Sequence, residues 1–290
     1  MLNMWNEAGF KLNRHLPVSS EMLPDPCIRS IVNDYVEQVE TALPGLLAGF
    51  YIYGSIALGD YSLSLSDIDF VAVIRSELNS GQLVLLAEVH RTVASKSRKP
   101  NMNGIYVTPQ QLGKLPHEIA PYPYYCDNRL YASGYFECNL VTWAELKESG
   151  IGIIGPDPSL LEYEVDWNEL LLRMRDNLNS YWHSWIQQSS RLWTAKGLAL
   201  LGREAAEWGV LGISRLHYTF RENRITTKAG AGEYALLHVD PRWHSIIQEA
   251  IHYRRGKPSI YHSIGRRRSD ALAYMLYMIE ECNGLAASSG

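Results

Sequence analysis

The period of the hydrophobic pattern changes once along this chain, near residues 160–166, and that change restricts its architecture more than any other feature. Before it, short apolar runs alternate with amphipathic stretches. Residues 49–53, 66–74, 103–109 and 135–141 read as strands, being apolar and rich in β-branched or aromatic side chains. Between them, Ile28, Ile31, Val32, Tyr35, Val36, Val39 and Leu43 recur at helical spacing and predict a helix over 28–47. Two more are expected over 82–95 and 143–149, the last capped by the Thr142 hydroxyl. From Asp166 onward only helical periods remain, over 167–188, 191–201, 204–220, 226–237, 241–253 and 269–282. An α/β domain with a mixed sheet and flanking helices is therefore predicted for residues 1–163, and an all-α helical bundle for 164–290.

Two hundred and ninety residues are enough to bury a core in each part without disulfide or metal staples. The four cysteines, Cys27, Cys126, Cys138 and Cys282, show no CxxC or CxxH pairing and read as reduced thiols. A formal charge of -4 argues against a dedicated nucleic-acid binder. The basic stretch of Arg254, Arg255, Lys257 and Arg266 to Arg268 reads either as a phosphate or RNA clamp or as a solvated loop. The segment up to Pro26 is irregular, and its start lacks the charged and apolar regions of a signal peptide. No apolar run approaches the roughly 20 residues that span a bilayer. The expectation is a cytoplasmic chain with neither a membrane nor a nucleic acid as partner.

The chemistry concentrates in Gly54-Ser55 at the end of one strand and Ser66-Asp67-Ile68-Asp69 at the start of the next. Residues i and i+2 of a strand share a face, so Asp67 and Asp69 would present paired carboxylates. Such a pair resists joint ionisation unless a cation sits between them, and Mg²⁺ favours two carboxylates with substrate phosphates completing its shell. A glycine and a serine at a strand end offer close backbone approach, N–H donors and a hydroxyl to a phosphate. The combination predicts a metal–nucleoside triphosphate site.

These residues resemble the DNA polymerase β-like nucleotidyltransferases, in which Gly-Ser, a spacer and Asp-x-Asp recur. The run Tyr51 to Ser55 followed by Ser66 to Val71 is more closely similar to the aminoglycoside adenylyltransferases of the streptomycin and spectinomycin branch. So are Ser214 to Thr219, Ile225 to Lys228, Glu233 to Leu236 and Glu249 to Tyr253, and the similarity covers about residues 28–256. The resemblance implies transfer of AMP from ATP to an aminoglycoside hydroxyl, with pyrophosphate released, in a cleft between two domains. It implies Mg²⁺ on Asp67 and Asp69, and triphosphate contacts from Gly54, Ser55 and Ser66. It also implies phosphate contacts from Arg215 and Lys228 and a nucleotide contact from Tyr253.

Two departures stand out. The family carries a glutamate on the third strand as base for the acceptor hydroxyl; here that place holds Asn103, and an amide takes no proton at neutral pH. Glu137, on the fourth expected strand, is the nearest acid by pattern, although its leading reading is an exposed or structural glutamate. The family's acidic and aromatic acceptor contacts are not in register either. Glu204, Glu207 and Trp208 are the substitutes within reach, with a solvated face and a core indole as the alternative. A nucleotide-binding relative with weak or no transfer, or transfer to a protein or RNA, are the rival functions. The aromatic run Tyr122 to Tyr125 reads as a loop that lids the cleft or as packing between domains.

Overall fold

The computed structural model describes residues 20–62, 65–96 and 99–288. Most of the irregular opening expected before Pro26 lies outside the described residues. The chain falls into two compact units that meet in sequence at Val165 and Asp166.

In the first unit, six strands form one sheet: β1 Leu47–Tyr53, β2 Ile68–Ile74, β3 Met102–Val107, β4 Tyr122–Cys126, β5 Arg129–Gly134 and β6 Ile151–Ile154. Their spatial order is β5-β4-β3-β2-β1-β6. Only β2 and β3 are parallel; the remaining neighbours run antiparallel. The sheet is mixed, as the pattern predicts. Helix α1 (Pro26–Ala42) starts on an Asp25 cap, whose carboxylate accepts from Cys27 N at 2.7 Å, with Pro26 in the first turn. After β1 comes a single turn, α2 (Gly54–Ala57). Helix α3 (Ser80–Lys96) makes the crossover that a parallel β2–β3 pair requires. Ile28, Val32, Tyr35 and Val39 of α1 and Leu86, Val89 and Val93 of α3 share one core with Phe50, Ile52, Phe70 and Ala72.

The expected fourth strand over 135–141 does not form. Glu137 is left-handed there (φ 54°), and Asn139, whose side chain accepts from Thr142 N at 3.0 Å, caps a helix that begins at Leu140. This helix, α4 (Leu140–Ser149), lies against β1. Thr142 is thus inside the helix it was expected to cap. The fourth strand comes earlier, from the aromatic run Tyr122 to Cys126, so that run is not a loop. Pro123 made it read as one, since proline donates nothing to a ladder. A two-residue turn, Asp127 (φ 51°) and Asn128 (φ 59°), joins it to β5. Two successive left-handed residues match the twist of a tight hairpin.

The second unit is helical throughout. Its helices are α5 Trp167–Asn177, α6 His183–Ser190, α7 Ala195–Ala199, α8 Arg203–Glu222, α9 Lys228–His238, α10 His244–Arg254 and α11 Ile264–Ser288. A π-helical turn, Leu178–Trp182, bridges α5 and α6. It falls where large aromatic side chains are accommodated: Trp182 stacks on Trp208 at 4.9 Å, and a Cβ at Gly212 would come within 2.6 Å of the Trp182 ring. Around α8, Val210, Leu211 and Ile213 pack with Ile247, Ile251, Tyr274, Met275 and Met278.

The arginine stretch is absorbed by this unit. Arg267 donates to Leu201 O (2.6 Å), Arg268 to Ser189 O and Ser190 O (2.8 Å each), and Arg266 pairs with Asp270 at 3.1 Å. Arg255 pairs with Glu233. The four cysteines are free thiols, and among the described residues no helix is long and apolar enough to cross a membrane.

Among the described residues, each unit buries one neutral imidazole. His90, in a hydrogen-bonded chain with Tyr106 and Tyr35, is driven down to about 3 by burial. His217 is driven down to about 4 by burial and by the charges of Arg221 and His238. An unfolded chain protonates both near pH ~6.5. The unfolded state therefore binds more protons below that pH, and stability is complete above it and lost as pH falls towards these depressed values. Each histidine is expected to remove about 1.4 kcal/mol per pH unit once its unfolded form is fully protonated. Urea midpoints measured at pH 7.5, 6 and 5 check this; midpoints that do not fall refute it.

Candidate active site

Strand register brings Tyr53, Asp69 and Asn103 side by side across β1, β2 and β3, at the end of the sheet where β1 finishes and β2 begins. The chain leaves β1 through Gly54, whose φ of +69° favours glycine. A second constraint acts there. A Cβ on Gly54 would lie 2.5 Å from Asp69 Oδ2, so the glycine is what lets the turn close onto the carboxylate. Ser55 continues into α2, and its carbonyl accepts from Asp60 N at 2.9 Å. Ser66 is buried, with its Oγ accepting from Ser62 N at 3.1 Å. Gly54→Ala is expected to destabilise the first unit by about 1–2 kcal/mol through the left-handed backbone alone. Gly54→Asn tolerates that backbone better yet meets the same collision. Urea unfolding of both variants separates the two causes, and a wild-type midpoint for alanine would refute both.

Asp67 precedes β2 rather than lying within it, so it does not share the strand alternation that places Asp69. Its position is set by hydrogen bonds. Asn103 Nδ2 donates to Asp67 Oδ2 at 3.0 Å, while Asn103 Oδ1 accepts from Asp127 N at 3.3 Å. Burial raises the Asp67 carboxyl above its ordinary range; Lys99 opposes this and the charge of Asp127 adds to it. Around the same sheet end, Tyr53 is buried and its phenol is pushed far up by burial and by Glu137, Asp69 and Glu145. The Cys126 thiol is pushed up to about 11 by burial and by Asp127, Glu137 and Asp67. Asp67, Asp69, Asp127 and Glu137 gather carboxylates at this sheet end, with the Lys99 charge opposing them at Asp67, an arrangement that suits a divalent cation or a cationic ligand.

Glu137 belongs to this neighbourhood but not as a strand residue. Its Oε2 accepts from Thr142 Oγ1 (3.0 Å) and from Asn139 Nδ2 (3.3 Å) at the start of α4. Tyr53, Asp127 and Lys99 escaped sequence reasoning. Tyr53 sits directly before the Gly-Ser turn and could have been noticed; the other two become neighbours of Asp67 only through the fold.

Among the described residues no group of three or more His, Cys, Asp or Glu side chains is arranged to hold a metal. Two carboxylates with phosphate oxygens and waters would suffice for Mg²⁺, which rarely takes an all-protein cage. The donor set of Asp67 and Asp69 fits that ion.

In the second unit, Arg215 is half-buried on α8 and Lys228 begins α9. Glu207, buried on α8, lies 3.4 Å from Arg254 Nη1 and 4.0 Å from Lys228 Nζ. Glu204 is exposed, and Trp208 stacks within the cluster of Trp182, Trp185 and Tyr181. Tyr253 lies beneath the Arg203 guanidinium at 5.2 Å. Residues 178–281, which hold all of these, match the family described as "Aminoglycoside adenylyltransferase, C-terminal domain".

The chain carries the C-terminal domain of the aminoglycoside adenylyltransferases. The match runs from the π-helical turn into α11 and so spans nearly the whole helical unit. Among solved structures, the chain is similar to a spectinomycin adenyltransferase from Enterococcus faecialis, determined with ATP and spectinomycin. The two share 15% identity and a TM-score of 0.61, over 87% of this chain and 98% of the other. That likeness shows a common fold, in which the six-stranded sheet accompanies the adenylyltransferase helical domain. Among curated proteins no sequence matches the chain.

Proposed function

We propose that this protein transfers AMP from ATP to a hydroxyl of an aminoglycoside-type small molecule and releases pyrophosphate. The observation that carries the reading is the closure of the Gly54 turn onto Asp69, beside Asp67, in a chain whose helical unit is of the adenylyltransferase type. The neighbour's ATP and spectinomycin are consistent with that donor and that class of acceptor.

Asp67 and Asp69 would hold Mg²⁺, which when bound neutralises charge on the transferring phosphoryl group and on the departing pyrophosphate. The Gly54-Ser55 turn, with Ser66, supplies backbone N–H groups and hydroxyls to the triphosphate. Arg215 and Lys228 add positive charge for the phosphates, and Tyr253 contacts the nucleotide. Glu204, Glu207 and Trp208 would contact the acceptor, with Glu207 sharing its charge with Arg254 and Lys228.

A second reading has a specific observation behind it. Asn103 stands beside Asp69 and spends its amide on Asp67, so β3 offers no base, which favours a nucleotide-binding relative with weak or absent transfer. Incubation with Mg·ATP and a panel of aminoglycosides, followed by mass spectrometry, tests the two together. Adenylylated drug and pyrophosphate are expected. ATP binding without product for any acceptor would establish the second reading instead. Labelled nucleotide on protein or RNA in a cell extract would move the acceptor to a macromolecule.

A further inference from the structure

We infer that Asp127, at the tip of the β4–β5 hairpin, is the carboxylate that takes the proton from the acceptor hydroxyl. The inference rests on the AMP-transfer reading above and names a group that reading lacks. Three observations lead to it. Both polar ends of Asn103 are engaged, Nδ2 with Asp67 and Oδ1 with Asp127 N, so this residue is a bridge and not a base. The bridge joins the start of β2 to the hairpin tip and sets Asp127 one side chain away from Asp67. The Asp127 carboxylate is exposed, and its side-chain contact is with the neighbouring Cys126 thiol, whereas Glu137, the other acid near Cys126, accepts two hydrogen bonds from its own cap.

The hairpin is anchored firmly enough to hold such a group. Tyr125, buried on β4, stacks on His90 of α3 with ring centroids 3.6 Å apart. The turn itself is fixed by left-handed backbone at both Asp127 and Asn128. Through the same bridge, the Asn103 amide N–H stabilises the Asp67 charge.

In the step, the acceptor O–H bond breaks and its proton passes to the Asp127 carboxylate. The oxygen's electron pair forms the new bond to the α-phosphorus. The bond from that phosphorus to the bridging oxygen breaks, and pyrophosphate leaves with the electron pair. No oxidant or further reactant is needed.

Asp127→Asn is a mild change to the fold, because asparagine tolerates a left-handed turn. It is expected to lower kcat for AMP transfer about a hundredfold or more, the usual scale of general-base loss, with ATP affinity unchanged. The double variant Asp127→Asn with Asn103→Glu, which returns a carboxylate to β3, is expected to regain at least tenfold. Transfer within a few-fold of wild type in Asp127→Asn overturns the assignment and leaves the AMP-transfer reading standing. So does an equal loss of ATP affinity, or the absence of recovery in the double variant. A wild-type protein that adenylylates no acceptor overturns both.

Discussion

Asp69→Asn is expected to lower AMP transfer about a thousandfold, equivalent to ~4 kcal/mol of transition-state stabilisation, while the protein unfolds at the wild-type urea concentration. Asp69 sits in register between Tyr53 and Asn103, and the Gly54 turn presses against its Oδ2. An amide has the same shape, so it preserves this packing. It has no charge, so it removes half of the proposed metal's carboxylate set. Steady-state rates across a Mg²⁺ titration, alongside urea unfolding, separate the two. Transfer retained in the variant would refute the metal assignment. A falling midpoint would make Asp69 a structural residue.

Glu249→Ala is expected to destabilise the helical unit by about 3–5 kcal/mol, the cost of stranding buried charge. Glu249 is 1% exposed on α10 and serves as a hub. It accepts from Arg203 Nε (2.7 Å), Ser259 Oγ (2.8 Å) and Ile260 N (2.8 Å), and lies 4.0 Å from Arg267 Nη1. Burial would raise its carboxyl, but these donors hold it below the ordinary range. Alanine leaves the buried Arg267 and the half-buried Arg203 without that carboxylate. Glu249→Gln keeps one acceptor oxygen and is expected to cost less. Six of the eight tryptophans lie from Trp167 onward, so tryptophan fluorescence during urea unfolding reports mainly on this unit. Equal midpoints for alanine and wild type would refute the hub.

The basic stretch shows why charge runs are hard to interpret in a sequence. Arg266, Arg267 and Arg268 are consecutive, but on a helix they point about 100° apart. One pairs with an aspartate four residues on, and the others donate to carbonyls at Leu201, Ser189 and Ser190. Their partners are 66 to 79 residues away in sequence. Nothing local distinguishes such structural arginines from a phosphate clamp.

The hairpin is the other instructive case. The burial pattern along β5 does not alternate, and β4 carries a proline, so neither shows the period-2 signal of a half-buried strand. Pairing of β4 with β3, and of β5 with β4, fixes them. The run over 135–141 has strand-like composition, but its left-handed Glu137 and capping Asn139 turn it into a helix start.

The sequence by itself determined the first three strands and the helices α1 and α3, the helical unit after Asp166, and the positions of Gly54 and Asp69. Each of these rests on local spacing, which a periodic pattern records. The tertiary structure alone decided what Asn103 does, which acid stands beside it, and where the carboxylates of Glu207 and Glu249 are spent. Those outcomes depend on strand register and helix packing between distant segments, and a hydrogen bond from Asn103 to Asp67 leaves no trace in the spacing of either. The absent glutamate on β3 was legible from the chain; the aspartate offered in its place became visible only when β4 paired with β3.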